Sequence, residues 1–275
     1  HPKKDLPNVI KQFEKQAKGD ITHARALPVM CKNKKIIYCD IQSKKVLFGS
    51  NYLFQSYDRG DTWNIISPDL TTNDTKLRNT SNGGGLTNSN TGGENHFTIV
   101  TISDTPIDTT VIWVGTDDGN VQVTKNNGKK WRNVKLNIND LQKKIWVSRV
   151  EASKHSKGRA YITFDNHRFD DNKPYVYVTE DYGETWKNIT SNLPINYSVY
   201  VIKEDPIDPK LLFVGTEESV YFSYNKGLSW EKLGSKLPTV AIHDLVIHPR
   251  DGDLIAGTHG RSIWILDDIS PLRNL

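Results

Sequence analysis

From about residue 46 onward, short runs of alternating or wholly apolar residues recur along the chain, each closed off by Gly, Pro, Asn or Asp. Runs of four to seven such residues read as strands, because an amphipathic helix needs a longer stretch with a 3.6-residue period. The pattern predicts strands at 46–50 and 52–56, then at 97–102, 111–115, 121–125 and 131–135. It continues with 147–152, 160–164, 175–179 and 186–190, and with 199–203, 211–215, 220–223 and 230–233. A last group covers 242–248, 254–257 and 262–266. Only 6–18, near the start, has the spacing of a short amphipathic helix.

The groups are repeats of one another. Four carry the same turn: Ser56-Tyr57-Asp58-Arg59-Gly60-Asp61-Thr62-Trp63, Thr124 to Trp131 through Asn126 and Gly128, Thr179 to Trp186 through Asp181 and Gly183, and Ser223 to Trp230 through Asn225 and Gly227. All fit Ser/Thr-x-Asp/Asn-x-Gly-x-x-Trp. The Asp or Asn accepts hydrogen bonds from turn amides, the Gly takes a positive φ, and the Trp opens the returning strand with a large apolar face. Second strands also end alike, at Val114-Gly115-Thr116, Val214-Gly215-Thr216 and Ala256-Gly257-Thr258.

Four short strands per repeat predict an all-β fold, a β-propeller of four-stranded blades with this hairpin between strands three and four. About five blades are expected over residues 31–275, preceded by a partly helical extension over 1–30. The first blade takes its innermost strand from near 36–41, and the last stops after three strands. An open edge of that kind predicts that further blades come from the same or another polypeptide. The stretch 67–96, with Gly83-Gly84-Gly85 and Gly92-Gly93, is expected to be a mobile loop.

Composition narrows the function classes. Lys and Arg total 36 against 32 Asp and Glu, a balanced mixture that argues against a nucleic-acid-binding surface. No apolar run approaches the ~20 residues of a membrane-spanning helix. Cys31 and Cys39 form neither a C-x-x-C pair nor a zinc pattern, and both a disulfide and two free thiols stay open. The first residue is His1 and no signal segment follows it, so the reading is of a processed or partial chain.

The hairpins resemble the Asp-box, or BNR, repeats of sialidases, sortilin-type receptors and some glycoside hydrolases. The tail, from Leu237-Pro238-Thr239 through Gly257-Thr258-His259-Gly260-Arg261-Ser262-Ile263-Trp264 to Arg273, resembles the end of the propeller in large exported bacterial BNR-repeat proteins with sortilin-like domains. That resemblance implies a secreted, periplasmic or cell-surface location. It implies no reaction, since a fold does not fix a function.

If the Asp-box turns gather at one end of the blades, the turns between strands two and three gather at the other, where function is expected. Ligand-binding candidates there are His96, Asp117, Asp118, His167, Arg168, Glu217, His259 and Arg261, with Arg149 on an innermost strand. Glu94, Glu151 and Asp165 are the candidate carboxylates of a glycosidase, which needs two facing each other across the substrate. A sialidase would need an arginine cluster and a tyrosine paired with a carboxylate, and no such pair is evident. Asp58 and Asp181 are read as structural, because Asn126 and Asn225 replace them in sister turns and acid chemistry does not tolerate that exchange.

No metal site or cofactor motif stands out, although Asp117-Asp118-Gly119-Asn120 and Asp170-Asp171-Asn172 can be written as Ca²⁺ loops. The leading expectation is a noncatalytic module that binds a peptide, glycan or protein, and the alternative is a glycoside hydrolase acting on a glycan. The same reading expects all four box tryptophans to pack between sheets, and removal of Asp118 to cost under ~1 kcal/mol.

Overall fold

The computed structural model describes residues 23–30, 36–42, 45–74, 97–141, 144–234 and 236–275, the first two segments by backbone alone. The expected helix at 6–18, the loop core at 75–96 and Cys31 lie outside the described residues. The chain divides into two compact units, 1–48 with 53–66 and 49–52 with 67–275.

In the first unit, β1 (His23–Met30) and β2 (Ile36–Gln42) form a two-stranded antiparallel sheet. The 36–41 segment therefore pairs with β1 and is not the innermost strand of the first blade. That blade is three-stranded, ordered β3 (Val46–Gly49), β4 (Leu53–Ser56) and β5 (Asn64–Ile65).

Among its described residues the second unit contains three complete four-stranded antiparallel sheets and one of three strands. The first runs β6 (Ile99–Thr105), β7 (Asp108–Thr116), β8 (Val121–Thr124) and β9 (Trp131–Asn133). The second runs β10 (Trp146–Ala152), β11 (Ala160–Asn166), β12 (Asp171–Thr179) and β13 (Lys187–Asn188). The third runs β14 (Val199–Glu204), β15 (Leu212–Thr216), β16 (Val220–Ser223) and β17 (Glu231–Lys232). The last holds β18 (Ile242–Ile247), β19 (Leu254–Thr258) and β20 (Ile263–Leu266). In each sheet the strands are hydrogen-bonded in chain order.

Successive sheets pack face to face through their inner strands: β10 lies against β6 and β7, β14 against β10 and β11, and β18 against β14 and β15. Strands covered on both faces lose the alternating pattern, which is why β11 and β15 are buried along their whole length. Gly115 marks one close approach. A Cβ there would lie 2.4 Å from the Val147 side chain of the next sheet.

The four boxes make the same bonds. The hydroxyls of Ser56, Thr124, Thr179 and Ser223 accept from the amides of Gly60, Gly128, Gly183 and Gly227 at 2.8–3.0 Å. Oδ1 of Asp58, Asn126, Asp181 and Asn225 accepts at 2.9 Å from the amide four residues on. The residue before each Gly, such as Tyr182 at φ 61°, also has positive φ, so the turn takes two successive left-handed residues.

The box also docks one blade on another. Trp186 Nε1 donates to the Val134 carbonyl at 3.1 Å, and Trp230 Nε1 donates to the Ile189 carbonyl at 2.8 Å. Gly183 sits over Val134 so closely that a Cβ would come within 2.6 Å of that side chain. Trp63 departs from the expected packing: it is 42% exposed and meets Phe48 edge-on at 6.0 Å, whereas Trp230 is 3% exposed. Trp131 and Trp186 are half-buried.

Buried polar groups tie the same sheets together. Glu204, fully buried at the end of β14, accepts from Ser153 Oγ, the Lys154 amide and the Tyr161 hydroxyl of the preceding blade. Asp205 receives Arg273 at 2.8 Å from the terminal 3₁₀ segment Ser270–Asn274. Asp118 accepts from the amide and hydroxyl of Thr72 at 2.7 Å and from Thr116. Its loss removes three hydrogen bonds at once, two from Thr72 and one from the buried Thr116 hydroxyl, so Asp118→Ala should cost about 1–3 kcal/mol rather than the smaller value expected of an ordinary turn residue.

Trp230→Ala removes a buried indole and its inter-blade bond together, and should lower unfolding stability by about 3–5 kcal/mol in a urea titration. A loss below about 1 kcal/mol would contradict the docking role.

The two aspartate boxes add a pH dependence. The Thr62 hydroxyl and amide, with the Ser56 hydroxyl, lower the Asp58 carboxyl to about 2. Burial pushes Asp181 up, but the Thr185 hydroxyl and amide and the Thr179 hydroxyl outweigh it and hold the group below its ordinary value. Stability from such depressed carboxyls is present above the unfolded value near ~4 and is lost as pH falls towards the folded value. Replacing Asp58 and Asp181 together by Asn should shrink the fall in the urea midpoint between about pH 5 and about pH 3. An undiminished fall would show that the boxes do not titrate with folding.

Candidate functional site

Because the strands alternate in direction, the box turns and the turns between strands two and three lie at opposite ends of each blade. A cavity of about 460 Å³ opens at the end away from the boxes, among the last three blades. Its walls come from the innermost strands, with Trp146, Ser148, Arg149, Tyr200 and His243, and from the second strands and their turns, with Asp165, His167, Arg168, Glu217 and His259.

The innermost strands share one irregularity. In β10 the pairing register slips between Val147 and Arg149, in β14 between Val199 and Val201, and in β18 between Ile242 and Asp244. The residue left over is Ser148, Tyr200 or His243. A bulge of this kind adds one unpaired residue and re-aims its side chain. All three leftover residues line the cavity. In β6 the corresponding residue is Val100, which is 39% exposed and does not line it.

Most polar groups of the cavity are already engaged with one another. Asp165 is 4% exposed, with its Oδ2 2.6 Å from His167 Nδ1 and its Oδ1 3.2 Å from the His167 amide. The Tyr200 hydroxyl donates to Glu217. Burial, reinforced by that carboxylate, pushes the Tyr200 phenol well above its ordinary value, so it stays a protonated donor. Tyr200 stacks on His243 with centroids 4.5 Å apart at 10°, and His259 follows at 5.3 Å. Burial, and then the neighbouring His259, lower His243, which keeps it neutral near pH 7.

The two arginines are held differently. Arg149 reaches across to β18, where Nη2 donates to Asp244 Oδ1 at 2.9 Å and to the His243 carbonyl at 3.3 Å. Its Nε is buried with no hydrogen-bond partner. Arg168 lies over the Trp146 ring at 4.1 Å, half-exposed, with Asp165 beyond hydrogen-bond range at 3.9 Å.

Of the residues singled out from sequence, Arg149, Asp165, His167, Arg168, Glu217 and His259 meet in this cavity. Glu94 and His96 lie outside the described residues. Glu151 sits further along β10, paired with Lys203 at 2.7 Å and Lys154 at 3.2 Å, and does not line the cavity. Asp117 and Asp118 are turn residues, Asp117 accepting from the Thr98 amide at 2.9 Å. Arg261 is exposed outside the lining, and its carbonyl accepts from Trp264 Nε1.

As candidate Ca²⁺ loops, the two acidic turns spend Asp117, Asp118 and Asp171 on protein donors; Asp171 accepts from Tyr175 at 2.7 Å and Asn166 at 3.0 Å. Among the described residues no group of three or more metal-ligating side chains converges. The sequence reading missed Trp146, Ser148, Tyr200 and His243. Three of these are the leftover residues, and aligning the first strand of each repeat would have placed Ser148, Tyr200 and His243 in one column. The tyrosine–carboxylate pair that sequence did not reveal is Tyr200 with Glu217.

No family model matches the sequence, and no curated protein matches it. Solved structures do. A GH74 xyloglucanase from Xanthomonas campestris aligns over 90% of this chain and 43% of its own, at 15% identity and a TM-score of 0.60. YCF48 bound to D1 peptide aligns over 82% of this chain and 62% of its own, at 16% identity and a TM-score of 0.52. The extracellular domain of BT4673 from B. thetaiotaomicron covers 82% of this chain and 26% of its own, at 15% identity and a TM-score of 0.53. This chain thus spans less than two thirds of each. Likeness at such identities is one of fold, and with the observed sheets it makes the chain a β-propeller protein of four-stranded antiparallel blades.

Proposed function

We propose that this chain is a noncatalytic binding module of a larger exported protein, and that it takes a peptide or protein ligand in the cavity beside the bulged inner strands. The observation that carries this reading is the state of the two cavity carboxylates. Hydrolysis of a glycosidic bond needs one protonated and one ionised carboxyl facing the same bond. Here Asp165 is committed to His167 and Glu217 to Tyr200.

Among the neighbours in fold, YCF48 was solved with a peptide, which supports a ligand of that class. No helix among the described residues is long and apolar enough to cross a membrane. Export is supported by the extracellular neighbour and by the tail resemblance. The edge of β20, where Ile263 is 70% and Ile265 59% exposed, supports further blades from elsewhere in the protein or from a second polypeptide.

Glycoside hydrolysis is the second reading, favoured by one fact: Asp165 and Glu217 line the same cavity. Xyloglucan and a panel of other polysaccharides, incubated with the 275-residue chain, separate the two. The binding reading expects no release of reducing ends above the blank. Release that falls by about 10³-fold or more in Asp165→Asn or Glu217→Gln would overturn it.

A further inference from the structure

We infer that the cavity recognises a carboxylate on its ligand, an acidic side chain or free C-terminus of a peptide, through the guanidinium of Arg168, with Arg149 adding its charge at the wall. This deepens the binding reading above and rests on it. The argument is one of unused hydrogen-bonding capacity. The cavity's own carboxylates are each engaged: Asp165 through both oxygens by the His167 ring and amide, Glu217 through Oε2 by Tyr200, and Asp244 at the rim through Oδ1 by Arg149.

Its donors are not. Arg168 makes no hydrogen bond to Asp165 at 3.9 Å and is 51% exposed. Stacking on Trp146 fixes its plane and leaves the edge of the fork free, the geometry in which a guanidinium grips a carboxylate with two parallel bonds. Arg149 adds an Nε–H that is buried and unpartnered. That Nε is closed off from solvent, so Arg149 offers the ligand its positive charge at the cavity wall rather than this N–H. Asp244 and the His243 carbonyl pin the other end of that guanidinium, so it is held in place before any ligand arrives.

Two further features favour a peptide over a sugar as the bearer of the carboxylate. The Trp146 ring is stacked by Arg168 and the Tyr200 ring by His243, so each aromatic platform on which a pyranose would lie already carries a partner. Ala241 and His259 complete the lining, an apolar wall beside one imidazole, with room for a peptide backbone. The volume, about 460 Å³, admits one or two residues of a peptide and not a folded domain.

The test uses a fluorescein-labelled Gly/Ser hexapeptide ending in Asp-Glu with a free C-terminus. Its isosteric control ends in Asn-Gln amide, and a glucuronate oligosaccharide and a neutral xyloglucan oligosaccharide serve as competitors. Binding to the intact chain is read by anisotropy. The acidic peptide should bind at least tenfold more tightly than the amide, weaken as salt rises, and lose at least tenfold in Arg168→Gln. Arg250→Gln, which removes an arginine 82% exposed elsewhere, should change nothing.

Equal binding of acidic and amide peptides would overturn the carboxylate assignment while leaving a binding module intact. Stronger competition by the glucuronate oligosaccharide would overturn the choice of a peptide. Cleavage of the xyloglucan oligosaccharide would overturn the binding reading itself, and failure of every probe to bind would overturn the carboxylate assignment.

Discussion

In two of the repeated turns the tryptophan reaches out of its own sheet and donates its indole N–H to a backbone carbonyl of the sheet before it. Trp186 does this to Val134 and Trp230 to Ile189, and in both cases the box glycine rests against the side chain of the same acceptor residue. A sheet packed face to face on its neighbour can slide; a directional bond and a glycine-sized contact at one end cannot. The boxes therefore fix the spacing of successive blades at one end, and that leaves the geometry of the other end free to vary.

The other end uses the freedom. With blade positions set, a single extra residue in each innermost strand turns Ser148, Tyr200 and His243 into the same cavity, three blades contributing one side chain each. Continuous strand pairing on either side of each slip keeps the change local. Second-strand turns then add Asp165, His167, Arg168, Glu217 and His259 above them. Within and beside the cavity Asp165 pairs with His167, Glu217 with Tyr200 and Arg149 with Asp244.

The blades were legible in the sequence because each is local: a four-strand repeat closed by a turn with four fixed positions. Gly183 and Asp181 could be assigned from spacing alone, and the bonds they make match those of Gly128 and Asn126. The site was half legible. Turn residues such as His167 and Glu217 stand out as polar clusters between apolar runs. Tyr200 and His243 look like ordinary strand residues, because a bulge is a property of pairing between strands and leaves no composition signal of its own. Glu151 misled for the same reason: alternation along β10 places it on the face of Arg149, yet Lys203 from the next blade captures it. The 36–41 segment was assigned to a blade on apolar pattern, and its partner, β1, lay in a stretch that carries no repeat.

Hydrogen exchange of the 275-residue chain with and without the acidic hexapeptide tests the central claim most directly, because it locates the bound ligand without assuming which residue matters. The account predicts slowed exchange in the segments holding Ser148, Tyr200 and His243 and in the turns around His167 and Glu217, with the four box turns unchanged. Protection confined to the box turns or to the outer strands β13 and β17 would contradict it.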